Sequence, residues 1–122
     1  MKKKLLVVDD DAAVRRFMRR ALQRAEYEVI EAADGDEAVE LTAEKRPDLV
    51  LLDMHMPGLG GIAALSGILD VDPGMPVIMV TGDGDMERAK LAVERGARGH
   101  MTKPFDLQSL RTSVMDNLPV GS

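Results

Sequence analysis

Apolar positions along this chain follow two alternating periods. Short runs of strand length fall at Lys4–Val8, Glu28–Ala32, Leu49–Leu52, Val77–Val80 and Gly99–Thr102. The first, third and fourth are continuous apolar runs, as expected of strands covered on both faces. The second and fifth are mixed, which suits the edges of a sheet. Helical spacing separates the runs. Val14, Phe17, Met18, Ala21 and Leu22 form one stripe beside an Arg-rich face. Ala38, Leu41 and Thr42 form a weaker one, stopped at Arg46-Pro47. Ile62, Leu65 and Leu69 give a third. Met86, Ala89 and Val93 give a fourth, with Gly96 placed to terminate it. Leu107, Leu110, Val114 and Leu118 give a fifth, with Asp106 as its cap.

The expected order is therefore a strand–helix unit repeated five times. Strands joined through helices run parallel, with right-handed crossovers. Five units are too few for a closed eight-stranded barrel, which leaves an open, doubly wound α/β sheet. No internal repeat or linker interrupts it, so one domain is expected over residues 1–118, followed by a disordered tail at 119–122.

Composition narrows what such a domain does. The chain has 122 residues, no Cys and no Trp, one Tyr and two Phe. Without cysteine there is no disulfide, thiolate or cysteine–zinc chemistry. So few rings argue against a stacking platform for single-stranded nucleic acid. The net charge of -5 makes direct nucleic-acid binding unfavourable. The basic start Met1-Lys2-Lys3-Lys4 is followed by only a short apolar run, below the roughly 7–15 residues of a signal peptide's apolar region. No membrane segment is expected, and the reading is a cytoplasmic protein.

Ligands of open parallel sheets bind beyond the carboxyl ends of the strands. After the first strand come Asp9, Asp10 and Asp11, and after the third comes Asp53. After the fourth come Thr81 and Gly82, and after the fifth come Lys103 and Pro104. Packed carboxylates cannot all stay ionised without compensation. A lysine and a divalent cation supply it, and an all-oxygen donor set suits Mg²⁺. A carboxylate nucleophile beside a metal, a hydroxyl and an ammonium group is the equipment of phosphoryl transfer. Taken singly, Asp11, Asp34 and Asp85 read as helix caps or turn formers. Gly58-Leu59-Gly60-Gly61 does not follow the first strand and lacks dinucleotide-binding spacing, and Asp83-Gly84-Asp85 lacks the framework of a calcium loop. Arg15, Arg16, Arg19 and Arg20 read as a solvated helix face or a contact for an acidic or kinase partner.

At these residues the chain resembles the response-regulator receiver domains of bacterial two-component systems, the chemotaxis regulators among them. The likeness covers essentially the whole length. It rests on Leu5-Leu6-Val7-Val8-Asp9-Asp10-Asp11, Leu51-Leu52-Asp53-Met54-His55-Met56-Pro57, Val80-Thr81-Gly82 and Lys103-Pro104-Phe105. The resemblance implies a flavodoxin-like fold with strand order 2-1-3-4-5. It implies Asp53 as the phosphoacceptor. Mg²⁺ would be bound by Asp10, by Asp9 directly or through water, by Asp53 and by the backbone carbonyl of His55. Lys103 would pair with Asp53 and then with the phosphoryl group, Thr81 would turn inward to it, and Gly82 would leave room for the donor. Lys103-Pro104 would be cis. The donor would be a sensor histidine kinase or phosphotransfer protein. The output would pass to an effector protein or domain, with a phosphorylation-dependent dimer as one form of it.

Two features depart from the commonest family pattern. His100 stands where an aromatic switch residue is usual, and Gly60-Gly61 replaces an aspartate. His100 has three readings: a rotating switch, a plain surface residue, or a pH-sensitive group. The first is preferred because His100 and Thr81 lie on neighbouring strands. His55 and Asp83, in loops beside Asp53, are expected to set the phosphoryl lifetime. Two alternatives differ in class. A haloacid-dehalogenase type phosphatase carries Asp-x-Asp after its first strand plus a cap insertion, whereas the nucleophile here follows the third strand. The chain could equally be a receiver taken from a longer regulator.

Overall fold

Each strand of the computed structural model sends alternate side chains to opposite faces of one sheet. Leu6, Val8, Val50, Leu52, Val77 and Met79 enter one buried cluster, while Leu5, Val7, Leu49, Leu51, Ile78 and Val80 enter the other. That is why the strand sequences show no polar alternation. The structure describes residues 2–56, 60–82 and 84–118. Pro57, the Gly58-Leu59 pair, Asp83 and the expected tail at 119–122 lie outside the described residues.

The strands are β1 (Lys4–Val8), β2 (Glu28–Ala32), β3 (Leu49–Asp53), β4 (Val77–Thr81) and β5 (Gly99–Thr102). They form one parallel sheet in the order β2-β1-β3-β4-β5. The helices are α1 (Ala12–Arg24), α2 (Gly35–Lys45), α3 (Gly61–Val71), α4 (Met86–Glu94) and α5 (Leu107–Asn117). Met18, Ala21 and Leu22 of α1 and Leu110 and Val114 of α5 cover one face. Ala38 of α2, Ala64, Leu65 and Ile68 of α3 and Ala92 of α4 cover the other.

The order of elements, the parallel pairing and the two mixed edge strands are as expected. β3 and β4 each run one residue further than their apolar runs, to Asp53 and Thr81. Ladder bonds do not depend on side-chain polarity, and Met54 N–H still donates to the Val80 carbonyl at 2.9 Å. Both functional candidates are thereby fixed in the sheet rather than in a loop.

Caps follow the expected chemistry. Asp11, Asp34 and Asp106 accept bonds from the backbone N–H groups of Ala13, Glu37 and Ser109, satisfying donors that the first helical turn leaves free. Glu37 in turn accepts from Ala33 N–H at 2.8 Å. Gly96 has a φ of +115° just beyond α4, as expected of a terminator. The stripe expected on α4 is corrected. Ala89 and Ala92 face inward, while Met86 and Val93 are exposed. Phe17 also sits at the margin of its stripe, half exposed, with its ring 6.1 Å from that of Phe105.

Candidate functional site

The sheet order reverses between β1 and β3, which places the ends of these two strands side by side at the switch point. Three carboxylates gather there. Asp9, Asp10 and Asp53 each offer an oxygen, and these oxygens lie within 4.8 Å of one another. Asp9 and Asp53 are buried, and Asp10 is exposed.

Asp9 is held from several sides. Its Oδ1 accepts the Asp11 amide at 2.9 Å, and its Oδ2 accepts Lys103 Nζ at 3.0 Å. Its own N–H donates to the Ala32 carbonyl at 3.1 Å. Lys103 Nζ also stands 3.6 Å from Asp53 Oδ1. The expected pairing of Lys103 with Asp53 thus needs one refinement: the shorter contact is to Asp9, and Asp53 takes the longer, electrostatic one. Three negative groups share one ammonium, which bridges the two buried ones.

The electrostatics follow from that shortage of positive charge. Burial, and then the charge of Asp9, push the Asp53 carboxyl up to about 6, against the opposing pull of Lys103 and of the His55 amide. Burial pulls Lys103 down, but its hydrogen bond to Asp9 and the charges of Asp53 and Asp9 lift it above its ordinary value. The pocket is short of a cation. The donors are all hard oxygens, with no sulfur among them. This set fits Mg²⁺, which takes one or two carboxylates and keeps several waters.

Thr81 lies buried at the end of β4, and its hydroxyl donates to the Met101 carbonyl at 3.2 Å, not into the pocket. His100 pairs in register with Met79, whereas Thr81 pairs with Thr102, and the His100 side chain is exposed. His55 N–H makes a long bond to Asp53 Oδ1 at 3.4 Å. Lys103-Pro104 is cis, as expected.

Two participants escaped the reading of the sequence. Asp85 makes no side-chain cap bond on α4. Its Oδ2 accepts the Gly82 amide at 3.0 Å and meets His55 Nε2 at 2.6 Å, joining the loops after β3 and β4. The His55 bond and then the Gly82 amide hold the Asp85 carboxyl below its usual range. These partners lie 30 residues apart, and no spacing rule connects them. The second is Arg15, which is not on a solvated face: it bonds Glu31 and the main chain of Asp9.

The family model described as "Response regulator receiver domain" matches residues 5–115. The chain belongs to this family. Receiver domains are phosphorylation-dependent signalling switches, not metabolic enzymes, and they pair with histidine kinases and effector domains. Sporulation initiation phosphotransferase F of Bacillus subtilis is 36% identical over 122 residues, covering 100% of this chain and 98% of that protein. Chemotaxis protein CheY of Halobacterium salinarum is 43% identical over 119 residues, covering 97% and 98%. The crystal structure of the NtrX receiver domain from Brucella abortus superposes with a TM-score of 0.91 at 34% identity, covering 96% of this chain and 99% of that one. Receiver domains generally bind Mg²⁺, and the acidic cluster of this one has the matching donor set. Among the described residues, no helix is long and apolar enough to cross a membrane.

Proposed function

We propose that this receiver domain accepts a phosphoryl group on Asp53 from a sensor histidine kinase or phosphotransfer protein. It assists that transfer and the later hydrolysis, in which water takes the phosphoryl group, inorganic phosphate leaves and the Asp53 carboxylate is restored. One observation carries the reading: Asp53 is at once within 4.8 Å of two further carboxylates and 3.6 Å from Lys103 Nζ. An Asp53 oxygen attacks the phosphorus, a new P–O bond forms, and the bond to the donor breaks with its electron pair leaving on the donor nitrogen or oxygen. Lys103 follows the charge, moving from Asp9 towards a phosphoryl oxygen. Gly82, without a side chain, leaves the approach open.

Asp10, Asp53 and the His55 backbone carbonyl would hold Mg²⁺, with Asp9 acting through a water, since both Asp9 oxygens already accept hydrogen bonds. When bound, the ion neutralises charge on the phosphoryl oxygens. Thr81 then exchanges the Met101 carbonyl for a phosphoryl oxygen. Because Met101 directly follows His100, that exchange alters the strand bearing His100, which supports its role as the switch residue. The resulting surface made by α4, β5 and α5 addresses a downstream effector protein or domain, or a second phosphorylated copy. Neither nucleic acid nor membrane is a direct partner in this reading, and the setting is cytoplasmic. The domain is assigned to residues 1–118.

Incubation with Mg²⁺ and acetyl phosphate tests the central step. Intact mass is expected to show one labile phosphoryl group on the wild-type protein and none on Asp53→Asn. Undiminished labelling of Asp53→Asn would place the acceptor elsewhere. The His55–Asp85 bridge supports a role for His55 in setting the phosphoryl lifetime, and the same role is proposed for Asp83 from its place in the sequence alone. Removing the bridge opens the pocket to water, so His55→Ala is expected to lose its phosphoryl group several-fold faster. An unchanged half-life in a dephosphorylation time course would count against it.

A further inference from the structure

We infer that Arg15 is a positioning residue for the acidic pocket, setting through the main chain of Asp9 where the metal-binding carboxylates stand. Its Nη1 donates to the Asp9 carbonyl oxygen at 2.6 Å, and its Nε donates to Glu31 Oε1 at 3.2 Å. Only 18% of the side chain is exposed. Glu31 is gripped in turn by Arg19 Nη1 at 2.8 Å, and it sits in β2 opposite Val7 of β1. The guanidinium is therefore anchored at both ends: its stem rises from the first turns of α1, and its fork is held by the neighbouring strand. A planar fork with donors in two directions suits this task, and a lysine has only one nitrogen with which to attempt it.

The consequence reaches Asp10. In a trans peptide the carbonyl of one residue and the amide of the next point oppositely in a single plane. Holding the Asp9 carbonyl fixes the plane from which Asp10 departs. Asp10 is exposed, so the main chain has the larger share in placing its carboxylate. The Asp11 amide that donates to Asp9 Oδ1 belongs to the same short stretch.

Charge alone predicts the opposite outcome, which makes the inference decidable. Arg15 is a cation near a cluster built to attract cations. If it acted only through its charge, its removal would tighten Mg²⁺ binding. If it positions the carboxylates, removal loosens binding, by about tenfold on the scale typical of groups that orient metal ligands.

This inference rests on the Mg²⁺ reading above. Titration of the full chain with MgCl₂, followed by backbone amide resonances, separates the two. Arg15→Met is expected to bind Mg²⁺ about tenfold more weakly than the wild-type protein, with Arg15→Lys in between. In metal-free samples the Asp10 and Asp11 amides of both variants are expected to exchange faster with solvent. A wild-type protein that does not respond to Mg²⁺ overturns the metal reading itself. A responsive wild-type protein with equal or tighter binding in folded Arg15→Met overturns only the role of Arg15. Should Arg15→Met not fold, the decision passes to Arg15→Lys, where weaker binding supports the inference and unchanged binding refutes it.

Discussion

Without divalent cations at pH 7, Asp53→Asn is expected to be more stable than the wild-type protein by about 3 kcal/mol, even though it takes up no phosphoryl group. Asp53 is raised from 3.8 to about 6 by burial and by Asp9. Between these values the native state binds more protons than the unfolded chain. The contribution of Asp53 to wild-type stability therefore falls as pH rises through that window, and stays lower above it. Asparagine keeps the shape but carries no charge, so its stability lacks this fall. Groups common to both proteins cancel in the difference. Urea denaturation in EDTA from pH 4 to pH 8 is expected to give two curves that meet near the acidic end, diverge up to about pH 6 and then run parallel. Curves parallel throughout would show that Asp53 is not strained by its surroundings. Mg²⁺ is expected to close the gap, because a ligand that favours the native wild-type pocket stabilises that protein by mass action.

Gly61→Ala is expected to cost about 3 kcal/mol, the upper end for forcing extra volume into a packed site. A Cβ there would stand 2.7 Å from both Cα and O of Met54 and 2.9 Å from the Asp53 carbonyl oxygen. All three are backbone atoms, so no side-chain rotation relieves the overlap. The start of α3 must move, and with it the segment that follows Asp53. Loss of phosphoryl uptake is expected alongside a thermal midpoint lowered by roughly 10 °C. Gly99→Ala is the control: nothing lies within 4 Å of a Cβ there and its φ is an ordinary one, so a change of no more than about 1 kcal/mol is expected. Equal behaviour of the two variants would show that the close approach at Gly61 has no influence on the site.

Most of the architecture was legible because burial on two faces leaves a plain signature. Runs such as Leu49–Leu52 and Val77–Val80 have no polar partner to alternate with. The rim was legible for a related reason. Strand ends are where polar groups must resume, so Asp9, Asp53, Thr81 and Lys103 could be placed together before any coordinates. What remained hidden were contacts between side chains whose separation follows no period. Lys103 could be assigned to the pocket, but not its preference for Asp9 over Asp53. Asp85 looked like a cap because capping aspartates are common, and its bond to His55 depends on how two loops meet. Arg15 belonged to a run of arginines on one helix, and only the twist of α1 over β2 decides which of them turns inward. On α4, Met86 and Val93 outweighed Ala89 and Ala92 in the apolar pattern, but the small side chains mark where the helix lies close to the sheet.

The sheet acts as a partition between two apolar compartments, one beneath α1 and α5 and the other beneath α2, α3 and α4. Side chains in one compartment meet those in the other only across the strand backbones. Repacking beneath α1 therefore need not disturb the fit beneath α3, whereas the α4–β5–α5 surface draws on both compartments. Yet every strand ends at the same rim, so the chemistry is shared by both halves. Such a layout lets the two apolar fillings vary separately around an unchanged centre.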